Sequence, residues 1–402
     1  MYKEPFLLLN PSARHMNKAK PLLMLLLVAA IIGIVSCRKT GESHADKGTA
    51  GTTAPTGEVK SILKFKTVIC FDRDGMGIEA FRLLIPSDWK FSGGIRWKLD
   101  NPGMPAVAGF RVSHPSNDDE IEVFPNQGFF WTTNQMLLQM FPAGSHYFGN
   151  VVRRPMAILD ALQMIAVSQF RRGAKNLRVV GSQELPGLAK SLDMRNQSQP
   201  GVSPTAHGGK LRIEYQREGV WIEEELYGVI ESYTFPIQSM MGALTNTMWT
   251  LGYLFSFKSQ KGKLDSCAHL FQTVVSSFRL NPQWFSKYNQ VVEYLIRRQI
   301  QQIRNAGELS RIISQTHNEV SDMMMQSYNE RQSVYDRVAE NFSQHIRGVD
   351  EYYNPVEERP VELPSGYNHA WVNGLGEFVL TDDPTYNPNL ESNQTWREMR
   401  KK

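Results

Sequence analysis

The spacing of apolar residues changes along this chain, and each change predicts a different kind of element. Leu22 to Val35 is an almost unbroken apolar run preceded by Lys18 and Lys20. From Arg38 to about Val59 Gly, Thr, Ala and Ser dominate and nothing could seed a core, the composition of a flexible tether. Period two then sets in. Leu63, Phe65, Ile69 and Phe71, set among Lys64, Lys66 and Cys70, predict a half-buried strand. The turn formers Asp72 to Gly77 separate it from Phe81, Leu83 and Ile85, a second strand that stops at Pro86, so the pair reads as a hairpin. Further strands are predicted at Ile95–Leu99, at Ala106–Val112 and at Ile121–Val123, with turns at Asn101-Pro102-Gly103 and Pro115-Ser116-Asn117.

Helical spacing appears first after Pro155, through Leu159, Leu162, Ile165, Ala166 and Phe170, and Gly173 ends it. Leu177, Val179 and Val180 resume strand character, and the polar stretch Ser191 to Gly209 reads as a surface loop. Leu211, Ile213 and Tyr215 alternate with polar residues and turn at Arg217-Glu218-Gly219 into Val220–Ile230, a hairpin. Trp249, Leu251, Tyr253, Phe255 and Phe257 form the strongest alternation and predict one strand with one apolar face. Leu264 to Phe278 is an amphipathic helix stopped by Asn281-Pro282.

From Phe285 to Ile346 apolar residues recur mainly at steps of three and four, without proline and with the single glycine Gly307. Unbroken, this helix would be about 90 Å long at ~1.5 Å per residue. A break near Gly307 or near Ser327–Asn329 would make it two. Met323-Met324-Met325 within it is either core or a pliable partner surface. In the tail, Tyr352–Pro355 and Val361–Pro364 read as extended, and His369 to Leu380 as a hairpin around Asn373-Gly374. The expected fold class is α+β: an antiparallel β-sheet domain with flanking helices, then long α-helices and a small C-terminal β-hairpin. The expected segments are 1–36, 37–60, 61–284, 285–347 and 348–402.

The opening run ends in Ile34-Val35-Ser36-Cys37, which resembles the lipobox of bacterial lipoproteins. At roughly 14 residues the run is shorter than the ~20 a helix needs to span a bilayer, and its basic flank is that of a cleaved leader. The resemblance implies that residues 1–36 are removed and that Cys37 carries a diacylglycerol thioether and an N-acyl chain. Fifteen residues precede Met16, unusual for the basic start of a leader, so Met16 is an alternative start. The resemblance further implies an exported, membrane-anchored protein. Arg38 follows the cysteine where aspartate would retain some lipoproteins in the inner membrane, so the outer membrane is expected if the organism is Gram-negative.

Hydrophobic residues at 41% and charged residues at 21% describe an ordinary globular body. Of the net charge of +4, the leader supplies +3 (Lys3, Arg14, Lys18 and Lys20 against Glu4), leaving about +1. Such a near-neutral body gives no footprint for nucleic acid. Besides Cys37 there are Cys70 and Cys267, which either join in one disulfide or pack as two buried thiols; their spacing supports no metal site. Asp72-x-Asp74-Gly75 opens like a calcium loop but lacks its later carboxylates, and Gly208-Gly209-Lys210 lacks the rest of a phosphate loop.

Candidate chemistry is thin. Glu223-Glu224-Glu225 is an acidic run, but strand alternation sends Glu224 to one face and its neighbours to the other, as expected of solvated strand faces. Trp89, Trp97, Phe129, Phe130 and Trp131 either line a ligand groove or fill a core, and Trp371 stands among the tail tyrosines with the same two readings. No nucleophile elbow, zinc-protease helix, phosphate loop or dinucleotide fingerprint occurs, so no catalytic residue and no cofactor beyond the covalent lipid is expected. The expected partners are the membrane, through the lipid, and an envelope protein or a second copy. A structural oligomer built on the long helices and a glycan or peptide hydrolase are the alternatives.

A second resemblance lies in the body. Phe81-Arg82-Leu83-Leu84-Ile85-Pro86-Ser87-Asp88-Trp89 resembles the opening strand-Pro-x-x-Trp of PsbP-like and DcrB-like domains, and Val274-Val275-Ser276-Ser277-Phe278 resembles their closing helix. It implies an antiparallel sheet flanked by helices and a binding role in a membrane-associated accessory protein. It carries no functional residue over.

Overall fold

A computed structural model describes residues 62–190, 202–239, 242–304, 349–390 and 392–402. The leader, Cys37, the tether, the helical period beyond Arg304 and the Met323–Met325 run lie outside the described residues. The class is α+β, with strands predominating and antiparallel pairing except between one pair of short strands.

In chain order the body opens with β1 (Ile62–Phe71), β2 (Glu79–Pro86), β3 (Lys90–Trp97), β4 (Ala106–Ser113), β5 (Glu120–Val123) and β6 (Gln127–Thr132). Then come α1 (Gln135–Met140), β7 (His146–Tyr147), β8 (Asn150–Val152), α2 (Ile158–Ala161), a π-helical stretch Leu162–Val167 and α3 (Ser168–Phe170). They lead to β9 (Lys175–Glu184), α4 (Pro186–Lys190), β10 (Ser203–Arg217), β11 (Val220–Ser239) and β12 (Gly242–Gln260). A 3-10 turn at Asp265–Cys267, α5 (Ala268–Ser276), β13 (Arg279–Leu280) and α6 (Pro282–Arg304) follow. The tail holds β14 (Val349–Asn354), β15 (Arg359–Pro364), β16 (His369–Asn373), β17 (Phe378–Thr381), β18 (Trp396–Glu398) and β19 (Arg400–Lys401).

Three sheets organise these strands. The largest has ten strands and runs β3-β4-β5-β12-β11-β10-β9, with β6, β7 and β8 branching from β12. The second has six, β13-β2-β1-β17-β16-β18, and the third is β15-β14-β19. The predicted hairpins β1–β2, β10–β11 and β16–β17 form as the alternation requires. Part of the expected loop 191–209 is strand instead: β10 begins at Ser203, where Ser203 to Gly209 pair with Thr234 to Gly228.

The tail is not a separate appendage. Leu63 faces Leu380 and Phe65 faces Phe378 across β1–β17, so the last strands extend the sheet begun by the first. The expected boundary after residue 284 falls inside α6, and the described residues belong to one compact unit. The helix expected to run to Asn281-Pro282 ends earlier, at Ser276, with β13 in between; Asn281 starts α6, its side chain accepting the Gln283 N–H at 3.0 Å with Pro282 in the first turn. Trp284, Phe285, Tyr288, Val292 and Ile296 then bury the inner stripe of α6 in the main core, while Tyr294 points away, exposed.

The ten-stranded sheet is covered on both faces. Ile158, Leu162, Ile165 and Ala166 pack on one face, against Ile213, Leu226, Trp249 and Leu251. On the other, β2, α5 and α6 bring Phe81, Phe271, Val274 and Trp284 against Phe110, Tyr227, Phe255 and Phe257. The alternation of β12 therefore does not run through on one face. Tyr227 pairs with Phe255 but Val229 pairs with Gly252, so Tyr253 and Leu254 together oppose Gly228. This β-bulge, with Tyr253 at φ +50°, sends Trp249 and Leu251 to the helix side and Phe255 and Phe257 to the other.

Candidate functional site

The bulge at Tyr253 turns its ring toward a chamber of about 180 Å³ between the two large sheets. One wall is Phe81 and Leu83 of β2, with Val274 and Val275 of α5. The opposite wall is Ile95, Ala106, Ala108, Phe110, Ile121 and Phe255 from β3, β4, β5 and β12. Trp284, Phe285 and Tyr288 of α6 complete it. The small residues of β4 leave the space: Ala106 and Ala108 sit where bulkier neighbours would fill it. Phe81 stacks on Phe110 at 5.1 Å and leans on Phe278 at 5.1 Å, which fixes one side. No Asp, Glu, Lys, Arg or His lines the chamber among the described residues, and Asn126 is its one amide side chain.

A buried carboxylate fastens α6 over this space. Asp72 is 1% exposed, and its carboxylate accepts the Trp284 indole N–H at 2.8 Å, the Trp97 indole N–H at 2.9 Å and the Met76 N–H at 3.1 Å. The turn formers seen in the sequence wrap this group, with the Gly77 N–H donating to the Asp72 carbonyl at 2.8 Å. Charge-assisted hydrogen bonds of this kind are the stronger sort. The oxygens that a calcium loop would offer to metal are thus taken by two indoles and the backbone. Among the described residues no group of three or more His, Cys, Asp or Glu side chains is placed to hold a metal ion.

In β11 Glu223 and Glu224 are buried and Glu225 is half-buried, which corrects the expectation of solvated strand faces for Glu223-Glu224-Glu225. Glu224 is fully buried and takes two hydrogen bonds from Arg171, at 2.7 and 2.5 Å. Arg171 also reaches Glu122 at 2.8 Å and lies over the Phe124 ring. Burial pushes the Glu224 carboxyl up, but the Arg171 guanidinium outweighs it and holds the group below its ordinary value. Lys258 pairs with Glu120 at 2.5 Å beside them. On the other face Arg212 joins Glu223 at 2.8 Å and Asp265 at 3.0 Å, and Lys210 joins Glu225 at 3.0 Å. The three carboxylates are therefore split between faces and each is occupied by a cation, an arrangement that offers no paired acid and base to a substrate. The alternation was legible; the cations, Arg171 among them, were not.

The aromatic candidates do not converge. Trp89 packs edge-on to Phe271 at 6.2 Å, and Trp97 serves Asp72. Phe129 stacks on Trp249 at 4.1 Å, on the helix-covered face, whereas Phe130 stacks on Tyr147 at 4.4 Å in the main core. Trp131 is half-buried against that core, and Trp371 lies in β16. None of these lines the chamber. The residues that do were missed because each, taken alone, reads as ordinary core. Cys70 and Cys267 are free thiols, not joined to each other. Burial pushes both thiols up, which leaves them poor nucleophiles.

The stretches Phe81–Trp89 and Val274–Phe278 lie against one another. The Leu84 N–H donates to the Ser277 hydroxyl at 2.8 Å, and that hydroxyl donates to the Val274 carbonyl at 2.8 Å, which ties β2 to the end of α5. Fold and recess together define an antiparallel α+β body with an internal apolar chamber. No protein-family model and no curated protein matches the chain.

Proposed function

We propose that this chain is a lipid-anchored protein of the bacterial cell envelope whose folded body is a non-catalytic binding module. The anchor rests on the lipobox-like Ile34-Val35-Ser36-Cys37, and the tether would hold the body clear of the membrane. The observation that carries the binding reading is the contrast between the two kinds of interior. The charged side chains of the sheet pair with one another, and the large recess is mostly apolar with no Asp, Glu, Lys, Arg or His in its lining among the described residues. Apolar recesses with few polar groups bind ligands; hydrolysis needs a poised carboxyl or nucleophile that faces them. The helical period of α6 is proposed to continue toward Ile346 as one long helix or two, a scaffold for the envelope partner.

The test of the anchor is Cys37→Ser in cells fed radiolabelled palmitate. The parent is expected to take up label and to resist a high-salt membrane wash. The variant should take up none and appear in the wash. Variant protein that stays with the membrane after the wash would overturn the anchor.

A further inference from the structure

We infer that the chamber takes a small neutral ligand with an apolar body and one uncharged hydrogen-bonding group, such as an alcohol, ester or amide, held at Asn126. The inference rests on the reading of the body as a binding module and names what it binds.

Size comes first. At about 180 Å³ the chamber exceeds a single water by several fold, and an apolar cavity of ~150 Å³ is known to stay dry and to accept benzene. Phe81, Phe110, Phe255, Phe278 and Phe285 make most of the lining apolar, and its polar side chains are Asn126, Tyr253, Tyr288 and Trp284, whose indole N–H is given to Asp72. Charge comes second. With no Lys, Arg, His, Asp or Glu in the lining, a carboxylate or ammonium entering would lose its hydration without a counter-charge. That excludes a free fatty acid anion in favour of its neutral relatives.

Asn126 supplies the third observation. It sits between the end of β5 and the start of β6, beside Gly252, where an added Cβ would lie 3.6 Å from its amide. Its side chain makes no hydrogen bond with any described residue, although it lines the chamber beside Tyr253 and Leu254. An amide has both donor and acceptor, which suits a hydroxyl, an ester carbonyl or another amide equally. The bulge that re-aims Tyr253 thus brings an aromatic face and an unspent amide to the same end of an otherwise apolar space.

The experiment uses the full chain carrying Cys37→Ser, so that no attached acyl chain competes. Fluorobenzene, a neutral probe of about benzene's size, is titrated in and followed by its fluorine resonance, then displaced at pH 7.5 by 1-hexanol, hexanamide or hexanoate. One saturable site is expected, with hexanol and hexanamide displacing the probe and hexanoate at least ~tenfold weaker. Asn126→Leu should weaken hexanol and hexanamide by about fivefold or more while leaving displacement by benzene unchanged. Ala108→Phe should abolish probe binding with an unaltered circular dichroism spectrum. If Ala108→Phe does not fold, the headgroup series and Asn126→Leu decide the question. Absence of a saturable site, hexanoate equal to hexanol, or parent-like binding by folded Ala108→Phe would each overturn the inference. Membrane retention of Cys37→Ser would sink the anchor and leave the ligand result standing.

Discussion

Replacing Arg171 by methionine removes the cation that two buried carboxylates share. Arg171 keeps 7% of its side chain exposed, Glu224 none and Glu122 10%. Methionine can fill much of the volume and still cover Phe124, so the loss is chiefly electrostatic. Leaving a buried charge without its partner costs about 3–5 kcal/mol. Lys258 and Arg111 remain nearby, Arg111 at 2.8 Å from Glu122, which places the expected loss in the lower half of that range. With a urea slope of ~2–3 kcal/mol per molar, the midpoint should fall by about 1–2 M. Tryptophan fluorescence during urea unfolding at pH 7.5 reads it directly.

The pH dependence separates this cause from a simple packing defect. In the parent the Glu224 carboxyl is held below its ordinary value, so its contribution is complete above the unfolded value and is lost only as pH falls through the folded one. Between pH 7.5 and 5.5 it adds no slope. In Arg171→Met only the burial remains to act strongly, which raises the carboxyl, and a raised acid becomes less destabilising as pH falls toward its unfolded value. The deficit of the variant relative to the parent should shrink at pH 5.5, by up to ~1.4 kcal/mol per pH unit for each carboxyl that takes up a proton. A loss under ~1 kcal/mol at pH 7.5, or a deficit that stays constant to pH 5.5, would refute the assignment of a buried, shared cation.

Three further substitutions probe the frame around the chamber. Asp72→Ala strands two indole N–H groups and should cost about 2–6 kcal/mol in thermal or urea unfolding, at ~1–3 kcal/mol per buried unsatisfied group; a loss below that range would mean the indoles find other acceptors. Ser277→Ala removes the hydroxyl that accepts the Leu84 N–H, and about 1–3 kcal/mol of stability should go with it, whereas Ser277→Thr should retain most. Gly93→Ala meets a backbone at φ +102° and a Gly109 carbonyl only 2.4 Å from the new Cβ. It should destabilise by roughly 1–3 kcal/mol, and the same substitution at Gly173, where an added Cβ meets nothing within 4 Å, should not.

Local chemistry explains what the sequence made legible. The β1–β2 hairpin needed only alternation and a run of turn formers, and Asn281-Pro282 starts α6 by chemistry confined to a few residues. What stayed hidden depends on partners far along the chain. Trp249 to Phe257 alternates without interruption, and the bulge is visible only from Gly228 on the neighbouring strand. Glu224 reads as solvated because Arg171 lies 53 residues away. The tail reads as a separate hairpin because its partner, β1, stands more than 300 residues earlier, with Leu63 facing Leu380. The chamber is harder still, since small residues on β4 open it and no motif marks a space.

Chamber and ion cluster turn out to be two faces of the same strands. On β5, Ile121 and Val123 line the chamber while Glu120 and Glu122 enter the cluster behind it. On β12, Phe255 faces the chamber while Lys258 faces the cluster, and the bulge at Tyr253 sets that alternation. Only one strand thickness therefore separates an apolar recess from a set of charges whose positions are fixed by hydrogen bonds. A closely packed interior transmits small displacements instead of absorbing them. The cations that hold Glu122 and Glu224 consequently also hold the register of Ile121 and Phe255, and with it the shape of the recess. The charge cluster thus helps to shape the chamber through the geometry of the wall, although none of its members lines the space.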